Sequence, residues 1–341
     1  MNASRKFENF SQSPVACQRI QLKVLARGIE GNYMFKKYLV GIAGLFLFTS
    51  LAACGGSETA TESSVVETTV ETPAYPITVG ELTLEAQPMR IVSLSPTATE
   101  MLYAIGAGAQ VVAVDDYSNF PAEAVALGTA LSGFEPNVEA IAGFSPDLVI
   151  IAYDAGGLVD QLKSLSIPVF MAAAAATFED AYSQIEQLGA LTGHLETAVQ
   201  VSSQMQSDIA AAVAEVTLPT TPISYFHELD NTLYSATSNT FIGQVYGLFG
   251  LTNIADGVVE GNDYPQLSAE VIVKANPDII FISHSETAEI VAARDGWGKM
   301  KAVTSDQVVV LPADIPSRWG PRLVDFVKAI RDAVLLVITN S

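Results

Sequence analysis

Cysteine and basic residues are both scarce in this 341-residue chain. The only cysteines are Cys17 and Cys54, which excludes a disulfide scaffold. Lys and Arg number 17 against 37 Asp and Glu, for a net charge of −20. Binding to a phosphate backbone needs a clustered basic face, so nucleic acid is not an expected partner. With 49% hydrophobic residues, the chain can form about two domains with a sizeable core.

Motifs of common catalytic sites are also missing. The chain has no Gly-x-Ser-x-Gly, no Walker loop, no Gly-x-Gly-x-x-Gly and no His-Glu-x-x-His. His227 and Glu228 come nearest to a metal-binding pair, but adjacent residues of a strand point to opposite faces. His194 and His284 stand alone, and a structural role is favoured for each. We therefore expect no catalytic residues, no metal site and no cofactor.

Long apolar runs are limited to one segment, Tyr38 to Ala53, which follows two lysines. A basic start, a short apolar stretch and small residues at the end are typical of a secretory signal, and the run is short for a membrane span. The sequence Leu-Ala-Ala-Cys that ends at Cys54 resembles the bacterial lipobox. In that motif the cysteine is acylated and becomes the first residue of the mature protein.

The amino-terminal residues divide into three expected parts. A signal segment begins close to its initiator, so Met34 is the expected true start and residues 1–33 are a misassigned upstream extension. Residues 34–53 form the signal peptide. Residues 54–76 contain no Lys or Arg and have the composition of a flexible tether. Residues 1–53 carry seven basic and two acidic residues, so the chain from Cys54 onward has a net charge of −25.

The folded part alternates short apolar strands with helices. Ile91 to Leu94 and Val111 to Val114 are predicted strands, and the helix between them is predicted to start at a capping box of Thr97 and Glu100 and to end at Gly106. Such alternation predicts α/β folding with parallel sheets.

An internal repeat gives the clearest pattern. Residues 139–151 align without a gap on residues 270–282, so that a glutamate, a Pro-Asp pair and a buried strand fall in phase. In each copy a helix begins at a capping residue, Asn137 or Ser268, and must end before the proline. The sequence therefore predicts two copies of one structural unit.

The repeat predicts two similar α/β lobes, residues 77–176 and residues 218–341. Residues 177–217 between them are rich in Ala, Glu, Gln and Leu and are predicted to form a long helical connector, interrupted near Gly193. Ligands of parallel α/β sheets bind at the carboxyl ends of the strands, so the expected ligand site lies at the carboxyl edges of the two sheets.

Aromatic and polar residues follow the predicted strands. Such loops suit a large, flat or hydrophobic ligand. An Arg in a loop of Pro, Trp and Gly, such as Arg318, needs an anion or an aromatic face as its partner. The candidate ligand-binding residues are Tyr117, Tyr153, Tyr264, Asp314, Arg318 and Trp319.

Six segments of the folded part match the pattern of a known family. They are residues 90–100, with Ser-Pro-Thr-Ala-Thr-Glu, and residues 117–121, 137–139, 145–149, 264–270 and 276–278. These segments resemble the helical-backbone solute-binding proteins of ABC importers, which are receptors for cobalamin, ferric siderophores and haem. The resemblance covers about residues 88–337. It implies two lobes joined by one long helix, a ligand between them, and a permease with its ATPase as partners.

The resemblance also implies roles for individual residues. In that family one glutamate on each lobe docks on arginines of the permease, and by position these are Glu139 and Glu270. An acid in the first helical turn would also complement the helix dipole without any docking role.

The cobalamin receptor of that family is the most similar in its cleft. The three tyrosines named above fall where it has aromatics around the corrin, although two of those are tryptophan there. Residues 131–136 lack the expected tryptophan and offer only Phe134, which joins the candidates. A corrinoid is the first expectation for the ligand.

Two alternatives remain open. A ferric-siderophore or haem receptor is one, and haem would need a tyrosine or a histidine such as His284 as an axial ligand. The other is a surface hydrolase or chelate-modifying enzyme that uses His227, Glu228 and Asp230, which lacks a nucleophile motif.

Lipid anchoring depends on one residue. We expect Cys54→Ser to release or mislocalise the protein, because acylation at that sulfur is the only anchor the sequence predicts. Membrane fractionation with sequencing of the mature amino terminus checks this. A variant that stays in the membrane fraction, with a mature terminus elsewhere, would contradict the lipobox interpretation.

Overall fold

The computed structural model describes residues 75–129 and 131–340. The predicted upstream extension, the signal peptide, Cys54 and most of the tether lie outside these residues. Within the described part of the chain, no helix combines the length and the apolar character needed to span a membrane.

The first lobe is built on a parallel four-stranded sheet in the order β4-β3-β5-β6. An antiparallel hairpin of two short strands precedes it. The elements are β1 (Ile77–Val79), β2 (Leu82–Leu84), β3 (Ile91–Leu94), α1 (Pro96–Ala104), β4 (Val111–Val114), α2 (Ala122–Val125), α3 (Val138–Gly143), β5 (Leu148–Ile151), α4 (Leu158–Ser164) and β6 (Val169–Met171).

Two helices follow, α5 (Phe178–Thr192) and α6 (Leu195–Ala214). Thr177 and Asp180 form a capping box at the start of α5, and Gly193 ends the helix with a φ of 81°, a left-handed conformation that favours glycine. α5 packs against α1 and β1 of the first lobe, whereas α6 packs against both α5 and the last helix of the second lobe. The long connecting helix is therefore α6, about 30 Å long at 1.5 Å per residue.

The second lobe repeats the architecture with the sheet order β10-β9-β7-β8, again all parallel. When the strands of each four-stranded sheet are numbered in chain order, both sheets have the same order: second, first, third and fourth. The elements are β7 (Ser224–Glu228), α7 (Phe241–Gly247), β8 (Thr252–Asn253), α8 (Ala269–Ala275), β9 (Ile279–Ile282), α9 (Ala288–Ala292), α10 (Lys301–Thr304), β10 (Val308–Val310) and α11 (Leu323–Thr339).

The Pro-Asp pair of the repeat ties two strands together in each lobe. Asp147 accepts hydrogen bonds from the backbone N–H groups of Met89 and Arg90, just before β3. Asp278 accepts from the backbone N–H and the hydroxyl of Ser224, the first residue of β7. Each aspartate thus caps the amino end of the first strand of its four-stranded sheet, which explains why the repeat contains this residue.

The observed helix caps agree with the caps predicted from the sequence at two positions and differ from the prediction at a third. Asn137 and Ser268 cap α3 and α8 through their side chains, as predicted. The predicted capping box of Thr97 and Glu100 is wrong. Ser95 caps α1 by accepting from the Ala98 N–H, and a proline occupies the first helical position. Proline suits that position because its missing N–H would have no helical partner there.

One hydrophobic cluster extends across both lobes. It joins the inner faces of the two sheets to the helices between them, with buried residues such as Met101 on α1, Leu188 on α5 and Ile330 on α11. Each sheet covers its other face with a separate cluster of its own lobe. The central strands β3, β5 and β9 are buried on both faces, which is typical of parallel sheets.

Candidate functional site

Three aromatic side chains of the first lobe form a group at the carboxyl edge of its sheet. Tyr117 lies in the loop after β4, Tyr153 lies in the loop after β5, and Phe134 lies in the loop that leads to α3. The rings of Tyr117 and Phe134 have centroids 5.3 Å apart in an edge-to-face arrangement. Those of Phe134 and Tyr153 are 6.1 Å apart. The structure thus brings together the three residues that the sequence proposed for this lobe.

These rings remain open to solvent. Tyr117 is 54% exposed, Phe134 is 62% exposed and Tyr153 is 43% exposed. Exposed apolar residues are unremarkable when scattered singly, but three adjacent aromatics form a surface that a flat or apolar ligand can cover. Burial of such rings contributes about 25 cal/mol for each Å² of apolar area removed from water.

A buried carboxyl group lies close to these rings. Asp115 follows β4 directly, is 3% exposed, and accepts a hydrogen bond of 2.5 Å from the hydroxyl of Ser118. Ser118 in turn contacts the hydroxyl of Thr99 at 2.9 Å. Burial raises the pKa of Asp115 to about 6, an effect that the Ser118 hydrogen bond and the charge of Arg318 partly oppose. Sequence reasoning placed no weight on Asp115.

Tyr264 is the aromatic candidate of the second lobe. It is 51% exposed and lies in the segment before α8. A backbone bridge between Gln266 of this segment and Tyr234 connects the segment to the loop after β7. Partial burial raises the pKa of Tyr264, and the carboxylate of Asp263 raises it further. Tyr234 is 41% exposed in the loop after β7 and was not among the residues proposed from the sequence.

The polar loop after β10 contacts the first lobe. Arg318 donates through Nη2 to the backbone carbonyl of Tyr117 at 3.2 Å, which places its guanidinium beside the aromatic group. The anion that Arg318 meets is Glu100 on α1, 3.3 Å from its Nε. Asp314 forms an ion pair with Arg322 at 3.4 Å.

Trp319 lies apart from the aromatic group of the first lobe. Its indole N–H donates to Gln184 on α5 at 3.1 Å, and its ring packs against the large hydrophobic cluster. Within the described residues it therefore joins the second lobe to α5, and a role in ligand binding stays a prediction.

A second charged group lies at the carboxyl edge of the second sheet. Glu228, the last residue of β7, is fully buried and accepts hydrogen bonds from Arg294 on both oxygens, at 2.5 and 2.7 Å. His284 Nε2 contacts the same carboxylate at 2.8 Å, and Arg294 also binds Glu286 at 2.7 Å. The oxygen and nitrogen atoms of Glu228, His284 and Glu286 lie within 4.8 Å of one another, but the guanidinium already supplies the cation that they would need.

His227 occupies the opposite face of β7, as strand alternation requires. It is fully buried, with Nδ1 at 2.6 Å from the Tyr246 hydroxyl and Nε2 at 3.1 Å from the Ser283 hydroxyl. Burial, together with a smaller effect of the nearby His284, lowers the pKa of His227 to about 3. The imidazole is therefore neutral at physiological pH and sealed from solvent.

Glu139 and Glu270 occupy equivalent positions in the two lobes. Each is exposed in the first turn of a helix, α3 or α8, that leads back to a central strand of its sheet. A helix antiparallel to the next strand begins at the carboxyl edge of the sheet, so both carboxylates lie at the cleft side of their lobes. Hydrogen bonds from its own backbone N–H and from Ser268 lower the pKa of Glu270.

Comparison with known proteins identifies the class. The family model for periplasmic binding proteins matches residues 91–315. An uncharacterized ABC transporter substrate-binding lipoprotein of Bacillus subtilis, YvrC, is 29% identical over 88% of this chain and 98% of its own length. A cobalamin-binding protein of Halobacterium salinarum is 31% identical over 72% of this chain and 69% of its own length.

A solved structure agrees with these relatives. The periplasmic vitamin B12 binding protein BtuF of Vibrio cholerae superposes with a TM-score of 0.60 at 29% identity, and the match covers 74% of this chain and 97% of that one. The chain therefore belongs to the periplasmic binding protein family, and it is a substrate-binding protein of the kind that serves ABC transporters.

The buried carboxyl group predicts a pH dependence. The folded state holds the proton of Asp115 up to about pH 6, whereas the unfolded chain loses it near the ordinary pKa of 3.8. Stability should therefore fall as the pH rises through this window. We expect Asp115→Asn to remove that fall and Asp116→Asn, at the exposed neighbouring residue, to keep it. Thermal unfolding between pH 4 and pH 7 checks this, and identical profiles for wild type and Asp115→Asn would contradict it.

Proposed function

We propose that this chain is a lipid-anchored receptor on the outer side of the cell membrane that captures a corrinoid and delivers it to an ABC permease. The ligand lies in the cleft between the two lobes. The protein binds and hands over its ligand without turnover. Cys54 carries the lipid, and the acidic tether keeps the folded part close to the permease.

The exposed aromatic group of the first lobe is the observation that carries this proposal. Tyr117, Phe134 and Tyr153 present three adjacent rings at the edge where parallel sheets bind ligands. A corrin macrocycle is large and has an apolar periphery, which such rings can cover over a wide area. The names of the relatives from Halobacterium salinarum and Vibrio cholerae support the same ligand class.

Arg318 adds a charged donor beside these rings. Its Nη2 reaches the carbonyl of Tyr117, so the guanidinium lies where the ligand would meet the first lobe. A corrinoid that carries a nucleotide loop has a phosphate, and a guanidinium binds phosphate through charge-assisted hydrogen bonds.

The enzyme alternative finds little support at its own residues. His227 is buried in the core of the second lobe and is a poor base because its pKa is so low. Glu228 is fully paired with Arg294. Neither group could reach a substrate in the cleft without opening of the lobe, and general acid–base catalysis needs such contact.

A titration panel tests the ligand class. Intrinsic fluorescence and calorimetry should show binding of cyanocobalamin and no comparable binding of haem or a ferric siderophore. Binding of haem or the siderophore in its place would replace the corrinoid with that ligand. Slow consumption of any of the three would favour the enzyme alternative.

Truncation of the candidate ligand-binding side chains should weaken binding. We expect Tyr117→Ala, Tyr153→Ala, Tyr264→Ala and Arg318→Ala each to lower the affinity for cyanocobalamin by about tenfold to a hundredfold, or 1 to 3 kcal/mol. Met89→Ala is the matched control, because Met89 is an exposed apolar side chain at the amino end of β3, the opposite edge of the sheet. Unchanged affinity in all four variants, measured by calorimetry, would place the site outside the cleft.

Substitution of Glu139 and Glu270 should separate binding from transport. We expect Glu139→Ala and Glu270→Ala to leave the affinity for cyanocobalamin intact and to reduce its uptake by cells, most strongly when combined. Glu196→Ala is the control, since Glu196 is also exposed in the first turn of a helix but lies on α6. A helix-dipole role alone would slightly lower the stability of all three variants and leave uptake unchanged.

A further inference from the structure

One buried carboxylate joins the two lobes. Glu100 lies on α1 of the first lobe and is 3% exposed. Arg322, at the start of α11 in the second lobe, donates to it twice, from Nε at 2.9 Å and from Nη2 at 2.5 Å. Arg318 places its Nε 3.3 Å from the same carboxylate. A single negative charge on one lobe therefore holds two positive charges of the other.

Each arginine has a second attachment. The guanidinium of Arg322 lies 4.5 Å from the centroid of the Phe120 ring, which belongs to the first lobe, and it also contacts Asp314. Arg318 donates to the Tyr117 carbonyl at the aromatic group. The ion pair at Glu100 is thus continuous with the wall of the cleft.

The charges make this contact directional. Hydrophobic packing across the lobes tolerates small shifts, because burial depends on area and not on angle. A bidentate pair between guanidinium and carboxylate fixes both distance and orientation. The contact of Gln244 Nε2 with the carbonyl of Ala176 at 2.7 Å also joins the two lobes, but it is neutral.

Loss of the carboxylate would leave two neighbouring guanidinium groups without their shared anion. Removing one partner of a buried ion pair leaves an uncompensated charge, which is strongly unfavourable. Movement of the loop around Arg318 and of α11 away from α1 would let water reach both guanidinium groups while each lobe stays folded.

We propose that Glu100 is a positioning residue that sets the spacing of the two lobes and holds Arg318 at the cleft. It acts through Arg318 and Arg322 and does not itself touch the ligand. The interaction is independent of which ligand the cleft accepts.

The second lobe supplies a matched control. Glu228 is also a buried glutamate with a bidentate arginine, Arg294, but both partners belong to the same lobe. Glu228→Gln and Glu100→Gln therefore remove the same charge from the same type of pair. They differ in whether that pair crosses between lobes.

The experiment measures the distance between the lobes by double electron–electron resonance between two spin labels. Spin labels are attached to cysteines introduced at Ser164 and Ser305, which are exposed and lie on the first and second lobe. The full chain is used without ligand, with Cys17 and Cys54 replaced by serine. Glu100→Gln should broaden the distance distribution and shift its mean by about 2 Å or more, the scale of domain rearrangement, while Glu228→Gln leaves both unchanged.

Arg322→Lys keeps the charge but loses the bidentate geometry, and it decides the matter if Glu100→Gln does not fold. It should also broaden the distribution. A wild-type distribution in both folded variants overturns the proposal. A change of equal size in Glu228→Gln overturns it too, because the effect would then follow from the loss of any buried ion pair.

Discussion

The aspartates that cap the first strand of each sheet determine how the two lobes are built. Asp147 and Asp278 bind the backbone at the amino ends of β3 and β7, so the amino edge of each sheet is closed by its own hydrogen bonds. The loops at the carboxyl edges are not needed for these hydrogen bonds. Parallel strands bring all of these loops to one side, and the connector α6 keeps the two lobes in contact. The cleft is a consequence of this polarity.

Duplication explains why the lobes match and where they differ. The two sheets share one strand order, and the helices with Glu139 and Glu270 occupy the same place in both. The carboxyl-edge loops have diverged: the first lobe carries an aromatic group, whereas the second carries paired charges around Glu228 and Arg318. The two sheets are thus alike at their amino edges and different at their carboxyl edges.

Local pattern in the sequence was enough for much of this fold. The strands at 91–94 and 111–114, and the caps at Asn137 and Ser268, were all predicted and confirmed, because each depends on neighbours within a few residues. The repeat added the long-range information that both lobes share one design. The false capping box failed for a local reason as well, since the proline at position 96 moved the cap to Ser95.

The site was less accessible from sequence. Aromatic loops after strands could be proposed because sheet polarity gathers them, and the structure brings three of them together. The contact of Glu100 with the second lobe could not be predicted, because its partner Arg322 is 222 residues away and neither residue belongs to a motif that points to the other. Asp115 was missed for a related reason: its burial depends on the packing of Ser118 and the following loop, which no periodicity reveals.

Internal pairing of charge has a consequence for recognition. Near the cleft, Arg294 is paired with Glu228, and Arg318 lies 3.3 Å from Glu100, a carboxylate that it shares with Arg322. A ligand that relied on charge alone would have to compete with these buried pairs, and separation of such a pair is unfavourable. The exposed rings face no such competition, because water is their only partner to be displaced. Recognition in the proposed receptor should therefore begin with the apolar face of the ligand, and the guanidinium of Arg318 then selects among ligands that already fit.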